Sequence, residues 1–331
     1  MKQRQVPAQQ KTFKLNNPVV TSPSDMRKCL ASDADSLPFV SIVVPVYNDD
    51  KRVGSCIEAL LKQTYSHKRY EILIVDNGST DDTRSVIQKY PVKLLVEQKI
   101  KSSYAARNKG VKSASGEVIG FTDADCIPSP DWIEKGVENL LRVPNCGLVA
   151  GRINPLFKDP KRPNAVETYE SIMHFRQKKY VHSHKYGATA NVFTYKKIFD
   201  KVGLFNDTLR SGGDNEWGRR VFTYGYRQLY ADDTSVAHPV RNSLWNLYRR
   251  TVRLVGGNYS QRKDYLDMIT LWIRSIRNTV AIVTRALFGM HPVDQLNGAK
   301  QKIHFISVCI CVELFRNFER VRLLMGKKPS R

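Results

Sequence analysis

The chain alternates short apolar runs with segments whose apolar residues recur at helical spacing. The run "FVSIVVPVYN" (39–48) is rich in β-branched residues and is stopped by Pro45 and Asn48, which predicts a buried strand ending in a loop. Because "YEILIVDNGS" reads as a second strand, the order predicts a βαβ unit of a parallel sheet. The intervening helix is predicted by apolar residues on one face: Val53, Ile57, Leu60 and Leu61.

The same alternation continues to about residue 141. It predicts a helix at about 81–90, a strand in "VKLLVEQ", a helix in "YAARNKGVKSA" and a strand in "EVIGFTDAD". Ser129 and Pro130 resemble the N-cap and first residue of a further helix. Beyond this point the pattern is less regular, although "SGGDNE" predicts a loop that runs into a helix at about 215–224.

Three parts are predicted along the 331 residues. Residues 1–37 are polar and dotted with proline, which is typical of a mobile leader. Residues 38–240 form an α/β domain with a regular half, 38–150, and an irregular half, 151–240. Residues 241–331 form a basic, helical extension.

Charge narrows the class of partner. The chain has 53 Lys and Arg against 31 Asp and Glu, a formal net charge of +22. Such an excess attracts phosphate groups on nucleotides, nucleic acid or anionic lipid. The extension holds 17 basic and 5 acidic residues, so more than half of the excess lies there.

The extension has no uninterrupted apolar stretch of about 20 residues, the length that crosses a bilayer. Arg274, Arg277 and Arg285 interrupt one apolar segment, and "IHFISVCICVELF" ends before Arg316. This composition fits basic amphipathic helices lying in a membrane interface. It fits equally well helices that pack on the α/β domain or on a second subunit.

The cysteines and the N-terminus favour a reducing, cytoplasmic setting. Six cysteines contain no CxxC pair and no histidine at zinc spacing, so they predict neither a disulfide framework nor a structural zinc site. The first residues contain no apolar core of a secretory signal.

Acidic loops follow three of the predicted strands. They lie at 47–50, at 76–80 and at "DAD", which holds Asp123 and Asp125. Since ligands bind beyond the carboxyl ends of parallel strands, these loops should meet at one rim. Two carboxylates on one loop can hold Mg²⁺ or Mn²⁺, which can bridge diphosphate oxygens. A solvated turn after a strand is the competing interpretation.

At this point the sequence resembles the inverting glycosyltransferases of family 2. The matching segments are "VSIVVPVYND", "YEILIVDNGSTDDT", "AARNKG", "GEVIGFTDAD" and "GGDNEW", in register across residues 40–218. The resemblance implies the GT-A fold, a Rossmann-like and mainly parallel sheet flanked by helices. It also implies a nucleotide-sugar donor and assigns 38–150 as the nucleotide-binding half and 151–240 as the acceptor half. It does not cover the leader or about the last 70 residues.

The resemblance also implies a set of donor-binding residues. Asp76 would accept a hydrogen bond from the base, and a cation at Arg107 would pair with the diphosphate. Asn77 stands where the family often has a second aspartate, so the identity of the base stays open. The implied nucleotide-sugar-binding set is Pro45, Tyr47, Asn48, Asp76, Arg107, Asn108 and Asp123.

Catalytic and metal-binding residues are implied in the same way. Asp214 matches the position of the base that removes a proton from the acceptor hydroxyl, although Gly213 precedes it where the family has an acid. Glu216 is the reserve candidate. His238 would join Asp123 and Asp125 on the metal, and an imidazole beside carboxylates suits Mn²⁺ better than Mg²⁺.

Several of these residues also have purely structural interpretations. Asp76 could cap the following helix, and Arg107 could lie exposed on a helix with a surface salt bridge. Asp214 and Glu216 lie in a first helical turn, where carboxylates are favoured by the helix dipole.

Together these features predict a metal-dependent inverting transferase. It would move a sugar from a nucleoside diphosphate sugar to a hydroxyl of a glycan or lipid-linked acceptor, in polysaccharide or cell-envelope glycan synthesis. The chain lacks the Gln-x-x-Arg-Trp stretch of similar processive synthases, which predicts single additions. The alternative from another class is a basic nucleic-acid-binding protein, motivated by the net charge and by "NLYRRTVRLVGGNYSQR".

Overall fold

The computed structural model describes residues 37–209 and 211–261, scattered positions between 270 and 296, and 298–327. Contacts divide the chain into Met1–Leu37 and Pro38–Arg331, and the fold and the site lie in the second unit. The predicted leader and most of the apolar segment from Asp264 to Met290 lie outside the described residues.

The first half follows the predicted alternation of strands and helices. A short 3₁₀ turn at His67–Arg69 precedes the second strand. The elements are β1 (Val40–Val46), α1 (Val53–Leu61), β2 (Tyr70–Asp76), α2 (Thr83–Ile87), β3 (Lys93–Val96), α3 (Ser103–Ser113), β4 (Val118–Thr122), β5 (Ile127–Pro128) and α4 (Trp132–Arg142).

The second half has longer strands and a helical extension. The short helix α6 continues into a π turn at Tyr180–His184. The elements are β6 (Cys146–Leu156), α5 (Ala165–Met173), α6 (Gln177–Lys179), β7 (Asn191–Tyr195), α7 (Lys196–Val202), α8 (Gly213–Thr223), β8 (Arg227–Pro239), α9 (Leu244–Gln261) and α10 (Ala299–Leu324).

The strands form one sheet in the order β3-β2-β1-β4-β7-β6-β8-β5. β1 pairs in parallel with β2 and β4, and β2 pairs in parallel with β3. β7 is antiparallel to both β4 and β6, whereas β6 and β8 are parallel. The predicted α/β class is therefore confirmed, and the carboxyl ends of β1, β2 and β4 share one rim.

Two glycines allow helices to pack closely on opposite faces of the sheet. A Cβ at Gly110 in α3 would lie 2.3 Å from a methyl group of Val43, and a Cβ at Gly136 in α4 would lie equally close to the ring of Phe193. A Cβ at Gly120 in β4 would meet both Phe193 and Ile42, so Ile42 lies on the same face of the sheet as Phe193 and α4. Because Ile42 and Val43 are consecutive in a strand, they face opposite sides, and the sheet lies between α3 and α4.

The extension packs on the α/β domain through its own apolar cluster. Side chains of α5, α9 and α10 meet there, and Phe305 of α10 is fully buried against Tyr169 of α5. The members are Val166, Tyr169, Ile172, Leu247, Leu296, Phe305, Val308, Cys309 and Val312. One face of α10 is therefore covered by protein.

Two details of the predicted helices are wrong. The fourth helix begins at Trp132 with Asp131 as its N-cap, so Ser129 and Pro130 precede it. The Ser129 carbonyl instead accepts from the Trp132 N–H, and its N–H donates to Ser235 of β8. The helix expected at about 81–90 is shorter, at Thr83–Ile87, because turns at 88–90 follow it.

Candidate active site

The loops after β1 and β2 are bonded to each other at the predicted rim. Asn48 adopts a left-handed backbone conformation with φ 48°, and its side-chain oxygen accepts from the Thr80 N–H at 2.8 Å. Its own N–H donates to the Ser79 hydroxyl at 2.9 Å. Pro45 is buried at the end of β1, while the Tyr47 ring is 58% exposed beside the rim. Asn48 therefore fixes the loop that presents Tyr47.

Asp76 is fully buried at the end of β2 and closes its own loop. Its carboxylate accepts hydrogen bonds from the N–H groups of Gly78 and Ser79. Arg84 of α2 donates to the same carboxylate at 2.7 Å. These contacts use much of its acceptor capacity, so Asp76 holds the loop in shape, and its direct contact with a base stays a prediction.

The loop after β4 places Asp123 against a buried arginine. Arg107 of α3 is 4% exposed and forms a salt bridge with the Asp123 carboxylate. Its Nη1 donates weakly to the Ser103 carbonyl, and its Nε is buried without a hydrogen-bond partner among the described residues. A buried guanidinium with an unused donor is suited to an anionic ligand such as a diphosphate.

Asp125 lies between a cation and an imidazole. Arg52 Nη1 is 3.2 Å from Asp125 Oδ2, and His238 Nε2 is 3.6 Å from Asp125 Oδ1. Arg52 also binds both carboxylate oxygens of Asp49, at 2.7 and 2.9 Å. No sequence pattern indicated Arg52, because its partner Asp125 lies more than 70 positions further along the chain.

The pairing of two short strands brings His238 to Asp125. β5 follows the acidic loop directly, and Ile127 pairs with Ala237 in antiparallel β8. The Nδ1 of His238 is 2.9 Å from the Pro239 carbonyl oxygen. With the proton on Nδ1 donated to that carbonyl, the Nε2 lone pair faces Asp125, which is the arrangement of a metal-binding histidine.

Ligand atoms of Asp125, Cys126 and His238 lie within 4.8 Å of one another. Two of them, a carboxylate and an imidazole, are ligands that Mn²⁺ accepts, and Asp123 lies two residues from Asp125. The Cys126 side chain is fully buried, and burial raises the pKa of its thiol well above the ordinary value. The donor set therefore fits a divalent ion held by oxygen and nitrogen, beside a thiol that stays protonated.

Asp214 enters the same centre from the first turn of α8. Burial raises the pKa of its carboxyl, and Asp123 raises it further, whereas the Asn215 N–H and Arg107 lower it. The adjacent Gly213 packs on the Tyr104 ring, and the Arg107 guanidinium carbon lies 5.9 Å from the centroid of that ring, so Asp214 lies near the pair formed by Arg107 and Asp123. A half-buried carboxylate with a raised pKa has the properties of a general base.

The Tyr104 ring explains why Gly213 precedes this carboxylate. A Cβ at Gly213 would lie 2.8 Å from the nearest ring atom of Tyr104, which is itself buried. The backbone N–H groups of Gly213 and Asp214 bond to the Tyr104 phenol and lower its pKa, although burial keeps that pKa raised. The space that an acidic side chain would need at 213 is occupied by the ring.

We expect Gly213→Ala to destabilise the protein by about 1–3 kcal/mol, because the added methyl group would overlap the Tyr104 ring. Chemical denaturation of this variant, of Tyr104→Ala and of the double variant measures the coupling between the two positions. The two single effects should not add, since the smaller side chain at 104 leaves room for the methyl group. Additive effects would contradict the steric explanation.

Two predicted site residues have structural partners instead of facing the centre. Glu216 forms a salt bridge with Arg220, whose guanidinium also donates to carbonyls at the end of α7. The amide of Asn108 donates to the Phe205 carbonyl at 2.8 Å and accepts from the Phe205 N–H at 3.0 Å. Of the two acids in α8, the structure therefore favours Asp214 as the base.

A buried ionic cluster fixes α9 against α5. Glu170 is fully buried and contacts His174, Arg241 and Arg250 at 3.0, 2.9 and 3.6 Å. Burial raises the pKa of Glu170, but the hydrogen bond from His174 and the charges of the two arginines outweigh burial and lower this pKa to about 2. The same burial and the charge of Arg250 lower the pKa of His174 to about 4.

The next turns of α9 approach the candidate base. A Cβ at Gly257 would lie 2.8 Å from Ser211, three residues before Asp214. Burial and the charge of Arg241 lower the pKa of Arg253, while the charges of Asp123 and Asp214 act in the opposite direction. Arg253 is nevertheless exposed to solvent.

The mainly parallel sheet flanked by helices, with its acidic loops at one rim, has the architecture of a GT-A fold. The family model described as glycosyl transferase family 2 matches residues 41–203. A glycosyltransferase of Haloferax volcanii, AglE, is 35% identical over 321 residues, which cover 89% of this chain and 99% of that protein. The chain belongs to glycosyl transferase family 2 and is an enzyme.

Two further comparisons extend this result. A glucuronosyltransferase of Methanococcus voltae, whose name gives dolichyl N-acetyl-alpha-D-glucosaminyl phosphate as its substrate, is 26% identical over 71% of this chain and 77% of its own. The mannosyltransferase PcManGT from Pyrobaculum calidifontis, solved with GDP-Man and Mn²⁺, shares the fold with a TM-score of 0.58. It is 18% identical, and the match covers 89% of this chain and 90% of that one.

Proposed function

We propose that this protein transfers a sugar, with inversion and one unit at a time, from a nucleoside diphosphate sugar to a hydroxyl group of a glycan or lipid-linked acceptor. The observation that carries the proposal is the half-buried carboxylate of Asp214, in a helical turn packed on the Tyr104 ring, beside the Arg107–Asp123 pair. A base and an anion-binding cation thus occur together, which is what proton removal and departure of a diphosphate require.

A divalent ion, Mn²⁺ or Mg²⁺, is part of the proposal. Asp125 and His238 would hold it together with Asp123 of the same loop, since Asp125 Oδ1 and His238 Nε2 lie 3.6 Å apart and the Nδ1 contact with Pro239 leaves Nε2 available to a metal. When bound, the ion would supply positive charge to the diphosphate leaving group. Arg52 and Arg107 neutralise the same acids in its absence.

The residues of the chain would share the remaining tasks. Tyr47 and the loop closed by Asn48 and Asp76 would form the nucleotide pocket, and the unused Nε of Arg107 would bind a diphosphate oxygen. Asp214 would accept the proton of the acceptor hydroxyl as its oxygen bonds to the anomeric carbon. The bond from that carbon to the diphosphate breaks in the same step, and the diphosphate leaves with the electron pair.

The class of acceptor is suggested by the relatives. The Methanococcus voltae enzyme is named for a lipid phosphate sugar, which supports a lipid-linked acceptor in polysaccharide or cell-envelope glycan synthesis. Arg253 is exposed on α9 and its pKa responds to the charges of Asp123 and Asp214, so we propose that it meets an anionic acceptor. We further propose that the enzyme works at the cytoplasmic face of a membrane and is held there by its basic extension.

Calorimetric titration with UDP, GDP and TDP tests the donor, in Mn²⁺ and again in EDTA. We expect one nucleotide to bind in Mn²⁺ and to bind at least about tenfold more weakly in EDTA, because the positive charge that the ion supplies to the diphosphate is then missing. Binding of no nucleotide by folded protein would contradict the proposal. Steeply salt-dependent binding of DNA in place of nucleotide would favour the nucleic-acid alternative.

A further inference from the structure

The helix α10 is apolar on two opposite faces, and only one of them is covered by the protein described above. Its inner face, with Phe305, Val308 and Val312, packs against α5 and α9. Its outer face carries a second row of large apolar side chains, and each of them is more than 40% exposed. We call this row the outer stripe: Ile303, Ile310, Leu314, Phe318, Val321 and Met325.

Helical geometry places the outer stripe on one line. At about 100° per residue, each member lies within about 40° of Leu314 around the helix axis. From Ile303 to Met325 the stripe is about 33 Å long at about 1.5 Å per residue. Leu314 and Phe318 are each 61% exposed and Met325 is 72% exposed. Only Ser307 interrupts the row between Ile303 and Met325, and an apolar row of this length on a surface marks an interaction site.

The charges around the stripe are positive. Lys300 lies beside the stripe on one side, and Lys302 lies further round the helix on the other, by the same helical geometry. The carboxylates of α10, Glu313 and Glu319, are buried and paired with arginines. The outer stripe therefore faces outward with a basic rim and without an exposed carboxylate from its own helix.

An aromatic pair extends this surface onto α9. Trp245 is 65% exposed and stacks on Tyr248, with ring centroids 5.4 Å apart. Tyr248 in turn meets the ring of Phe315 in α10 edge to face, at 5.2 Å. Exposed Trp beside Tyr is typical of the level at which a protein meets lipid headgroups.

We infer that the outer stripe of α10 is a membrane-binding surface, on which the helix lies in the plane of an anionic lipid leaflet. A second copy of this chain is the less favourable occupant, because a net charge of +22 repels another molecule of the same charge. Anionic headgroups instead match the basic rim, and acyl chains match the stripe. Within the described residues, no helix is both long enough and apolar enough to cross the bilayer.

This inference specifies the membrane association proposed above and does not depend on the transferase reaction. It identifies the residues that enter the leaflet, whereas the basic composition of the extension identified none of them. It also adds a function for α10 that its inner face does not explain, since that face only joins α10 to the α/β domain.

Sedimentation with vesicles tests the surface. The full chain is mixed with phosphatidylcholine vesicles, with and without phosphatidylglycerol, as wild type and as Leu314→Ser/Phe318→Ser. We expect wild type to bind the vesicles that contain phosphatidylglycerol. The double variant should bind them at least about tenfold more weakly, because two apolar side chains no longer enter the leaflet. Added salt should weaken binding of the wild type.

The matched control is Leu141→Ser/Phe222→Ser, which removes one exposed Leu and one exposed Phe from helices of the α/β domain. It should sediment like wild type. Nucleotide binding in Mn²⁺ verifies that each variant is folded. Vesicle binding by the Leu314/Phe318 variant equal to that of wild type would assign membrane association to other residues and overturn the inference.

Two other results would also overturn it, and they are distinguishable. Wild type that binds nucleotide but no vesicles would remove both the surface and the proposed membrane association, while leaving the transferase proposal intact. Light scattering that shows a wild-type dimer, lost in the Leu314/Phe318 variant without any change in vesicle binding, would make a second copy the occupant of the stripe.

Discussion

Replacing Asp214 by Asn should lower the rate of sugar transfer by about 10²–10⁴-fold while leaving nucleotide binding nearly unchanged. The amide cannot accept the proton of the acceptor hydroxyl, and a general base contributes a factor of this size. Desolvation raises the pKa of the Asp214 carboxyl, which lies near Arg107 and Asp123 in the candidate active site. Initial rates with a donor identified by nucleotide binding, together with calorimetry of the nucleotide, separate the two effects.

The same raised pKa predicts a pH dependence. The base works in its ionised form, so the rate should fall as the pH drops through the raised pKa of Asp214, and this acidic limb should be absent from the residual activity of the Asn variant. For stability the sign is opposite. A carboxyl whose pKa is raised by folding stabilises the protein below its unfolded pKa and loses that contribution as the pH rises. Asp214→Asn should therefore be at least as stable as wild type at neutral pH.

Glu216→Gln is the matched control, since it changes a carboxylate in the same helix in the same way. Its partner is Arg220, which joins α8 to the end of α7. We expect this variant to lower the melting temperature slightly and to retain most of the activity. If Glu216→Gln lost most of its activity while Asp214→Asn stayed active, Glu216 would be the base and Asp214 the structural acid.

Replacing Asp125 by Ala should abolish the part of nucleotide diphosphate binding that depends on Mn²⁺. Asp125 is the carboxylate that faces His238, so its removal takes one ligand from the proposed set and leaves Arg52 without its second partner. In Mn²⁺ the variant should bind the nucleotide no more tightly than wild type does in EDTA, a loss of about tenfold or more.

Asp131→Ala provides the comparison for this result. Asp131 follows the same loop at the start of α4 and makes no side-chain capping hydrogen bond there. Its variant should keep the metal-dependent binding of wild type. If Asp125→Ala still responds to Mn²⁺ as wild type does, the ion is held elsewhere, and the ligand set proposed here is wrong.

Sequence periodicity was sufficient for the first half of the fold. Buried strands and amphipathic helices leave local patterns of period 2 and 3.6, so β1, α1, β2 and β4 could be predicted with the loops that follow them. Parallel pairing then required those loops to share a rim. The helix starting at Trp132 was misplaced by its Ser-Pro signal, because the Ser129 backbone pairs with β8 instead of capping the helix.

The roles of individual side chains were decided by contacts between residues far apart in the chain. The sequence placed Asp214 and Glu216 in one helical turn, but the position of Arg220 and burial near Arg107 separate them into a structural acid and a candidate base.

The sequence alone was sufficient for the family, for the order of strands and helices in the first half, and for the acidic loops, because each of these motifs consists of residues close together in the chain. The tertiary structure decided which side chains meet: Arg52 with Asp125, His238 through the pairing of β5 with β8, and the Tyr104 ring against Gly213. It also decided that the outer stripe of α10 stays exposed. A periodic pattern shows that a helix has apolar faces, whereas only packing shows which of those faces the protein itself covers.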